Sequence, residues 1–191
     1  IFCSSCWYCC RLLWRSGIHE EMIYFDLNTR LHPTQVEQLL QMEHEFWDHQ
    51  TYGDDTNLDI ALLPKCSLNG EIRSMFMASP SAVTVMRIEA GQEVVPHVDD
   101  PEHRRPSSVV FPLWPGGDKY APCTIYMDEG TYDIGWRSCY AFNTQIKHGV
   151  KNDTEYDRLN LQVWFNMPIA DLYDLYQKGE LVHPSVVYPT G

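Results

Sequence analysis

The sequence predicts a mainly β fold with flanking helices, closed into a sandwich or a barrel. Short runs rich in Val, Ile, Tyr, Phe and Thr alternate with turns of Gly, Pro and Asp, and aromatic residues make up 13% of the chain. The predicted strands cover residues 82–89, 107–113, 123–128, 138–143 and 158–166. Strands of this length and spacing are typical of sandwiches and barrels.

Helical patterns flank the predicted strands. Apolar residues recur at helical spacing from Pro33 to about His49, with Thr34 as the expected N-cap and Glu37 completing a capping box. Residues 51–80 are rich in Gly, Pro, Asn and Asp and are predicted to be loop. One last short helix is predicted over residues 171–178.

The length of 191 residues predicts one domain, which we place at residues 22–191. A Cys-rich leader precedes it over residues 1–21, and we expect this leader to be poorly ordered or foreign to the mature protein. Four cysteines lie close together in this leader: Cys3, Cys6, Cys9 and Cys10. No second group of residues with the spacing of metal ligands follows them, which disfavours a metal cluster there.

The composition excludes several classes of partner. The formal net charge is −12, and no stripe of Lys and Arg offsets it, so binding to nucleic acid is not expected. The apolar run near the start is too short and too interrupted to span a bilayer. Seven cysteines without a regular framework favour a reducing, cytoplasmic environment and a soluble protein. The sequence does not indicate an oligomeric state.

A candidate metal site begins with His97 and Asp99 in the segment VVPHVDD. Residues two apart in an extended strand point the same way, so this imidazole and this carboxylate converge. His148 follows 49 positions later (148 − 99), close to another predicted strand. Two histidines and one carboxylate form the facial triad of non-haem Fe(II) oxygenases, which leaves open coordination positions.

Arg158 strengthens this hypothesis. It begins the strand RLNLQVWF, in which Arg158, Asn160, Gln162 and Trp164 alternate with an apolar face. The apolar face is expected to pack on the core or a covering helix. A guanidinium on the other face, inside a cavity, needs an anionic partner, and a dicarboxylate supplies one through a bidentate pair.

These motifs carry a family resemblance. The stretch from about Val83 to Asn166, with VMRIEAGQEVVPHVDD and HGVKNDTEYDRLNLQVWF, resembles the 2-oxoglutarate/Fe(II) dioxygenases, most closely the prolyl-hydroxylase and aspartyl/asparaginyl-β-hydroxylase branch. The resemblance implies a double-stranded β-helix, or jelly-roll, core over about residues 82–167. It also implies that His97, Asp99 and His148 hold Fe(II). The implied cosubstrates are 2-oxoglutarate and O2, and ascorbate is an additional expected cofactor.

By the same resemblance, Arg158 binds the far carboxylate of 2-oxoglutarate. Two positions depart from the pattern of the family. Ile88 stands where prolyl hydroxylases often carry a Tyr that holds the cosubstrate, and Asn160 stands where many relatives have Ser. The carboxylate of Asp99 argues against a halogenase, in which a small residue vacates that position for halide. Hydroxylation is therefore the expected reaction.

Further groups are expected around the iron. Asn160, Ser108, Tyr126 and Tyr140 are candidates for binding 2-oxoglutarate or substrate through their polar ends. Asp100 and His103 are alternative ligands, but Asp100 is expected on the opposite strand face and His103 in an exposed turn. Substrate selection is expected at the mouth of the barrel, from Arg105, Trp114, and the segments 51–80 and 100–122.

The expected function is hydroxylation of an amino-acid, peptide or protein side chain, with release of succinate and CO2. Two alternatives stay open at this point. One is a cupin-like metalloenzyme of another class, which has no need of Arg158. The other is a non-catalytic β-sandwich binding module in which the three candidate ligands are incidental.

Overall fold

In the part of the chain that the structure describes, the fold consists of two antiparallel sheets and three α-helices. A computed structural model describes residues 12–15, 21–42, 48–50, 58–99, 105–113, 123–127, 130–134 and 139–186. In chain order the strands are β1 (Leu12–Arg15), β2 (Glu21–Leu27), β3 (Asp48–Gln50), β4 (Leu58–Leu62), β5 (Ala82–Ile88), β6 (Glu93–His97), β7 (Ser107–Leu113), β8 (Cys123–Met127), β9 (Gly130–Ile134), β10 (Cys139–Asn143), β11 (His148–Lys151) and β12 (Arg158–Phe165).

Strands β5 to β12 form a double-stranded β-helix. The larger sheet has eight strands in the order β1-β2-β10-β7-β12-β5-β4-β3, and the smaller has four in the order β6-β11-β8-β9. The chain therefore passes between the two sheets as it runs from β5 to β12. This arrangement confirms the mainly β prediction and the jelly-roll core.

Three helices cover the outer face of the larger sheet. They are α1 (Pro33–Gln41), α2 (Ser67–Ser74) and α3 (Ile169–Gln177), and a short 3-10 helix follows at Pro184–Val186. Leu39, Ile72 and Leu172, one from each helix, are fully buried in the main apolar cluster. The alternate residues of β12 lie in this same cluster, as predicted from the strand pattern: Leu159, Leu161, Val163 and Phe165.

The inner face of the larger sheet packs on the smaller sheet through two further apolar clusters. In one, Val110, Tyr140 and Phe142 of the larger sheet share a buried cluster with Ile125 of the smaller sheet. In the other, Ile88 of β5 meets Val94 of β6. The space between the sheets is therefore apolar at these points, and polar side chains within it need internal partners.

The first helix begins at Pro33, as predicted, but it is shorter than predicted and has a different N-cap. It ends at Gln41, and residues 43–47 lie outside the described part of the chain. Its N-cap is His32, not Thr34: His32 Nδ1 accepts the Thr34 N–H at 3.3 Å, and the His32 N–H donates to Gln35 Oε1 at 2.9 Å. The reason is that Pro33 is well suited to the first helical position, which moves the cap one residue before it.

The loop prediction for residues 51–80 is wrong over two stretches. β4 pairs with β5 along five positions, from Leu58 opposite Ile88 to Leu62 opposite Thr84. α2 then follows, with Leu68 and Ile72 buried against the larger sheet. Sheet pairing and helix burial outweigh the turn-forming composition of the segment. The predicted strands at 82–89, 107–113, 123–128, 138–143 and 158–166 and the last helix are confirmed within a few residues.

The leader contributes one strand to the described part of the chain. β1 pairs antiparallel with β2, from Leu12 opposite Phe25 to Arg15 opposite Glu21. The four leader cysteines lie outside the described residues. None of the helices in the described ranges is long and apolar enough to cross a membrane.

Asn152 fixes the end of the barrel from which β12 starts. Its side chain is almost fully buried, and Nδ2 donates to the carbonyls of Ile88 (3.0 Å), Glu89 (3.1 Å) and Tyr156 (2.8 Å). Its Oδ1 accepts the hydroxyl of Thr154 at 2.7 Å. One amide therefore joins the turn after β5 to the turn that leads into β12.

Replacement of Asn152 by Ala is expected to destabilise the fold by about 3 kcal/mol, because buried carbonyls lose their donor. Urea unfolding followed by circular dichroism measures the free energy of unfolding. Asn28→Ala is the control, since Asn28 is exposed. Equal unfolding free energies for the two variants would contradict the role given to Asn152.

Candidate metal centre

His97, Asp99 and His148 meet at one end of the smaller sheet. His97 ends β6, His148 begins β11, and the two residues are direct antiparallel partners. Their ring centroids lie 4.6 Å apart, and one ligand atom from each of the three residues lies within 4.8 Å of the others. The structure therefore brings together the three residues singled out from the sequence, and they could hold a metal ion.

Backbone carbonyls hold both imidazoles in one tautomer. His97 Nδ1 lies 2.8 Å from the carbonyl oxygen of Val95, and His148 Nδ1 lies 2.8 Å from that of Ile146. A carbonyl oxygen only accepts, so each Nδ1 carries the hydrogen. In the neutral ring, Nε2 then presents its lone pair, as a metal-bound imidazole requires.

Both Nε2 atoms point at the carboxylate of Asp99. His97 Nε2 lies 3.0 Å from Asp99 Oδ1, and His148 Nε2 lies 3.6 Å from Oδ2. Lone pairs facing a carboxylate at these distances repel unless a proton or a metal cation lies between them. Two imidazole nitrogens and one carboxylate are the donor set of non-haem Fe(II), so these residues fit that ion.

The two imidazoles differ in proton affinity. Burial alone would lower the pKa of His97, but its hydrogen bond to Asp99 and the charge of Asp99 outweigh burial, so that the pKa is raised above 6.5. Burial lowers the pKa of the more deeply buried His148 below 6.5, and the charge of Asp99 offsets this only in part. His148 is therefore neutral at neutral pH, in the form that binds metal.

The turn before β11 holds Asp99 in place. The Asp99 N–H donates to the carbonyl of Thr144 at 3.1 Å, and Nε2 of Gln145 donates to the carbonyl of Asp99 at the same distance. The ring of Phe142 packs edge-on against His148 with centroids 4.6 Å apart. Phe142, Thr144 and Gln145 were not predicted from the sequence to belong to the site, although the polar turn just before His148 was a usable signal.

Arg158 lies on the facing wall, at the start of β12. It is buried, and its Nη2 donates to Asn160 Oδ1 at 3.5 Å. Its Nη1 is buried without a hydrogen-bond partner in the described part of the chain. A buried guanidinium with an unsatisfied N–H is costly, and an anionic ligand would relieve that cost.

The inner face of β12 continues as a polar stripe. Gln162 Nε2 donates to the hydroxyl of Ser108 at 2.8 Å, and Trp164 Nε1 donates to Thr84 Oγ1 at 2.9 Å. All four residues are buried. The polar face predicted for β12 is therefore confirmed. Ser108 of β7 contacts this face through its hydrogen bond with Gln162.

The other expected cosubstrate groups fall in different places. Tyr140 is buried between the sheets, in the apolar cluster with Ile125. Tyr126 is the next residue to Ile125 on β8, so its side chain points away from that interior and lies near Lys151. The structure does not bring Tyr126 to the site. Ile88, opposite Arg158 in the sheet, is buried and apolar, so it offers no hydroxyl.

The mouth of the barrel is described only in part. Asp100, His103 and Trp114 lie outside the described residues. Arg105 is exposed, and its guanidinium lies 6.0 Å from the centroid of the Trp164 ring. Its carbonyl accepts the hydroxyl of Thr144 at 2.7 Å, which joins Arg105 to the turn that holds Asp99.

Solved structures with this fold include several oxygenases. A prolyl-4-hydroxylase of Pseudomonas putida superposes with a TM-score of 0.58 at 13% identity, covering 75% of this chain and 91% of that one. A prolyl hydroxylase of Trichoplax adhaerens, in complex with a peptide fragment of hypoxia inducible factor, gives 0.52 at 15% identity, with coverages of 74% and 82%.

A third solved structure shows that the fold serves other reactions. The non-heme alpha-ketoglutarate-dependent epimerase SnoN of nogalamycin biosynthesis gives a TM-score of 0.54 at 13% identity, with coverages of 74% and 77%. The sequence matches no protein-family model, and a search of curated proteins finds no match. The chain has the double-stranded β-helix fold found in prolyl hydroxylases and other 2-oxoglutarate/Fe(II) oxygenases.

Proposed function

We propose that this protein is a non-haem Fe(II) and 2-oxoglutarate-dependent dioxygenase that hydroxylates an amino-acid, peptide or protein side chain. One observation carries the proposal. The two Nε2 lone pairs of His97 and His148 converge on the carboxylate of Asp99, a geometry that suits a metal cation bound between the three groups.

The three proposed iron ligands differ in what they supply to the metal. His97 and His148 supply neutral nitrogens, and Asp99 supplies the negative charge that favours a divalent cation. Three protein ligands would leave room on the metal for the cosubstrate and for O2. When bound, Fe(II) would supply the activation of O2, the oxidant: one oxygen atom would end in succinate as 2-oxoglutarate loses CO2, and the other would be inserted into a C–H bond of the substrate.

Arg158 would hold the far carboxylate of 2-oxoglutarate. Its Nη1 is buried and lacks a protein partner in the described part of the chain, while Nη2 and Asn160 Oδ1 orient the guanidinium. A carboxylate would supply a charge-assisted pair in a site shielded from water. Asn160 would turn the guanidinium towards the ligand, and Ser108, bound to Gln162, would line the same face.

The kind of fold neighbour and the carboxylate of Asp99 support the proposed substrate class. Two of the structures described above are prolyl hydroxylases, and one holds a peptide fragment. A carboxylate ligand leaves no position for halide, which favours hydroxylation over halogenation. An amino-acid, peptide or protein side chain is therefore the substrate class we propose.

Loss of a metal ligand is expected to abolish activity and metal binding together. Asp99→Ala and His148→Ala should lower succinate formation from 2-oxoglutarate by about a hundredfold or more, measured with Fe(II) and ascorbate, because the triad loses a donor. His183→Ala is the control, since His183 is an exposed residue near the C-terminal end of the described chain.

Metal analysis of the purified variants separates this proposal from a non-catalytic module. The unmodified protein should carry stoichiometric iron, manganese or cobalt, and the variants should not. If the protein were a non-catalytic binding module, the unmodified protein would also lack stoichiometric metal. Wild-type turnover in Asp99→Ala or His148→Ala, with the fold retained, would rule out the proposed centre.

Arg158→Met is expected to raise the KM for 2-oxoglutarate by about 30-fold, because a charge-assisted hydrogen bond contributes about 2 kcal/mol. The measurement is succinate formation against 2-oxoglutarate concentration. The matched control is 2-oxobutyrate, which lacks the far carboxylate and should act equally poorly with both proteins. An unchanged KM would contradict the role given to Arg158, and absence of succinate formation by the unmodified protein would favour a cupin-like enzyme of another class, which does not need Arg158.

Peptides with proline, aspartate or asparagine side chains are expected to stimulate succinate formation and to gain the mass of one oxygen atom. Mass spectrometry after incubation with Fe(II), 2-oxoglutarate and O2 detects this gain. The same assay with the free amino acids distinguishes a small-molecule hydroxylase from a peptide hydroxylase. Succinate formation that none of these compounds stimulates would contradict the proposed substrate class.

A further inference from the structure

The strand that carries His97 contains a β-bulge. β6 and β11 pair at His97 with His148 and at Val94 with Val150, and the register shifts between these two pairs. Between them β11 has one residue, Gly149, whereas β6 has two. An extra residue on one strand bends it and changes the direction of the side chains that follow.

The bulge brings two side chains of β6 to the same face. In a regular strand, residues three apart point to opposite faces. Val94 is nevertheless buried between the sheets with Ile88, and His97 faces His148 at the candidate metal site. The bulged residues are Val95 and Pro96. Proline has no N–H and cannot donate a hydrogen bond to the neighbouring strand, so it is tolerated at a bulge, where that hydrogen bond is not made.

Gly149 lies directly against the bulge. A Cβ built at Gly149 would lie 2.6 Å from the Val94 carbonyl oxygen, 3.0 Å from the Pro96 nitrogen and 3.2 Å from the Val95 carbonyl carbon. All three are backbone atoms, which cannot move aside as a flexible side chain can. A glycine inside a strand marks such a close approach of two backbones.

The crowded Val95 carbonyl is the group that orients His97. Its oxygen accepts the hydrogen of His97 Nδ1 at 2.8 Å. Any displacement of that peptide therefore displaces the imidazole, and with it the Nε2 atom that faces Asp99. His148 offers an internal comparison, because its Nδ1 is held by Ile146, outside the bulge.

We propose that Gly149 is a positioning residue for the metal centre. Because position 149 has no side chain, the bulged β6 can approach β11, and the Val95 carbonyl then holds His97 with Nε2 towards the metal. The inference rests on the proposed function, since it concerns how a ligand is presented to Fe(II). It does not depend on the identity of the substrate.

Gly149→Ala is expected to weaken Co(II) binding by about 10- to 100-fold, the usual effect of disturbing a group that orients a metal ligand. Absorption titration with Co(II), a probe for the Fe(II) site, measures this affinity. Gly70→Ala is the matched control, because a Cβ at Gly70 meets nothing within 4 Å, and it should bind Co(II) as the unmodified protein does.

Proton NMR of the Co(II) proteins separates positioning from general destabilisation. Two shifted imidazole N–H signals are expected in the unmodified protein, one from each ligand histidine. In Gly149→Ala the His97 signal should move or exchange with water, while the His148 signal stays. Two unchanged signals together with unchanged affinity would overturn the proposal.

A second measurement covers the case in which Gly149→Ala does not fold well enough to bind Co(II). Without metal, Gly149→Ala should have a lower Tm than the unmodified protein, because its Cβ meets three backbone atoms of the bulge, whereas Gly70→Ala should not. An unchanged Tm in Gly149→Ala would show that the bulge does not need a glycine at position 149. Absence of Co(II) binding in the unmodified protein would instead refute the proposed metal centre, while the comparison of Tm values would still test Gly149.

Discussion

The structure of the site depends on an electrostatic conflict at one point. Backbone carbonyls place a hydrogen on Nδ1 of both histidines, so the lone pairs of both Nε2 atoms face the oxygens of Asp99. Strand pairing and backbone hydrogen bonds hold these three electron-rich groups close together. A proton or a metal cation between them removes the repulsion, so the polypeptide provides a place that a metal ion could occupy.

β12 serves both the fold and the site because its side chains alternate between two environments. One face packs under the helices, with Leu161 and Val163 fully buried, and provides much of the apolar core. The other face carries Arg158, Asn160 and Gln162 between the sheets. The same burial that stabilises the strand also dehydrates the guanidinium, and dehydration strengthens its attraction for a carboxylate.

The backbone around the site is irregular where the ligands require it. The bulge of β6 turns His97 inward, and the turn at Thr144 and Gln145 fixes the main chain of Asp99. Irregular backbone of this kind re-aims side chains near active sites, and here the surrounding regular strands hold it in place. The geometry of the three candidate ligands therefore depends on neighbouring residues outside that group.

The sequence by itself determined the class of fold, the strands β5, β7, β8, β10 and β12, and the choice of His97, Asp99 and His148 as one group. Period-two alternation and His-x-Asp spacing are local properties of the chain, and the resemblance to a family added the distant His148. Only the tertiary structure decided the N-cap and the end of α1, the ordered elements within residues 58–74, and the outward direction of Tyr126. It also decided the closeness of Gly149 to the bulge. These features depend on pairing between distant strands and on contacts across the sheets, which no local pattern encodes.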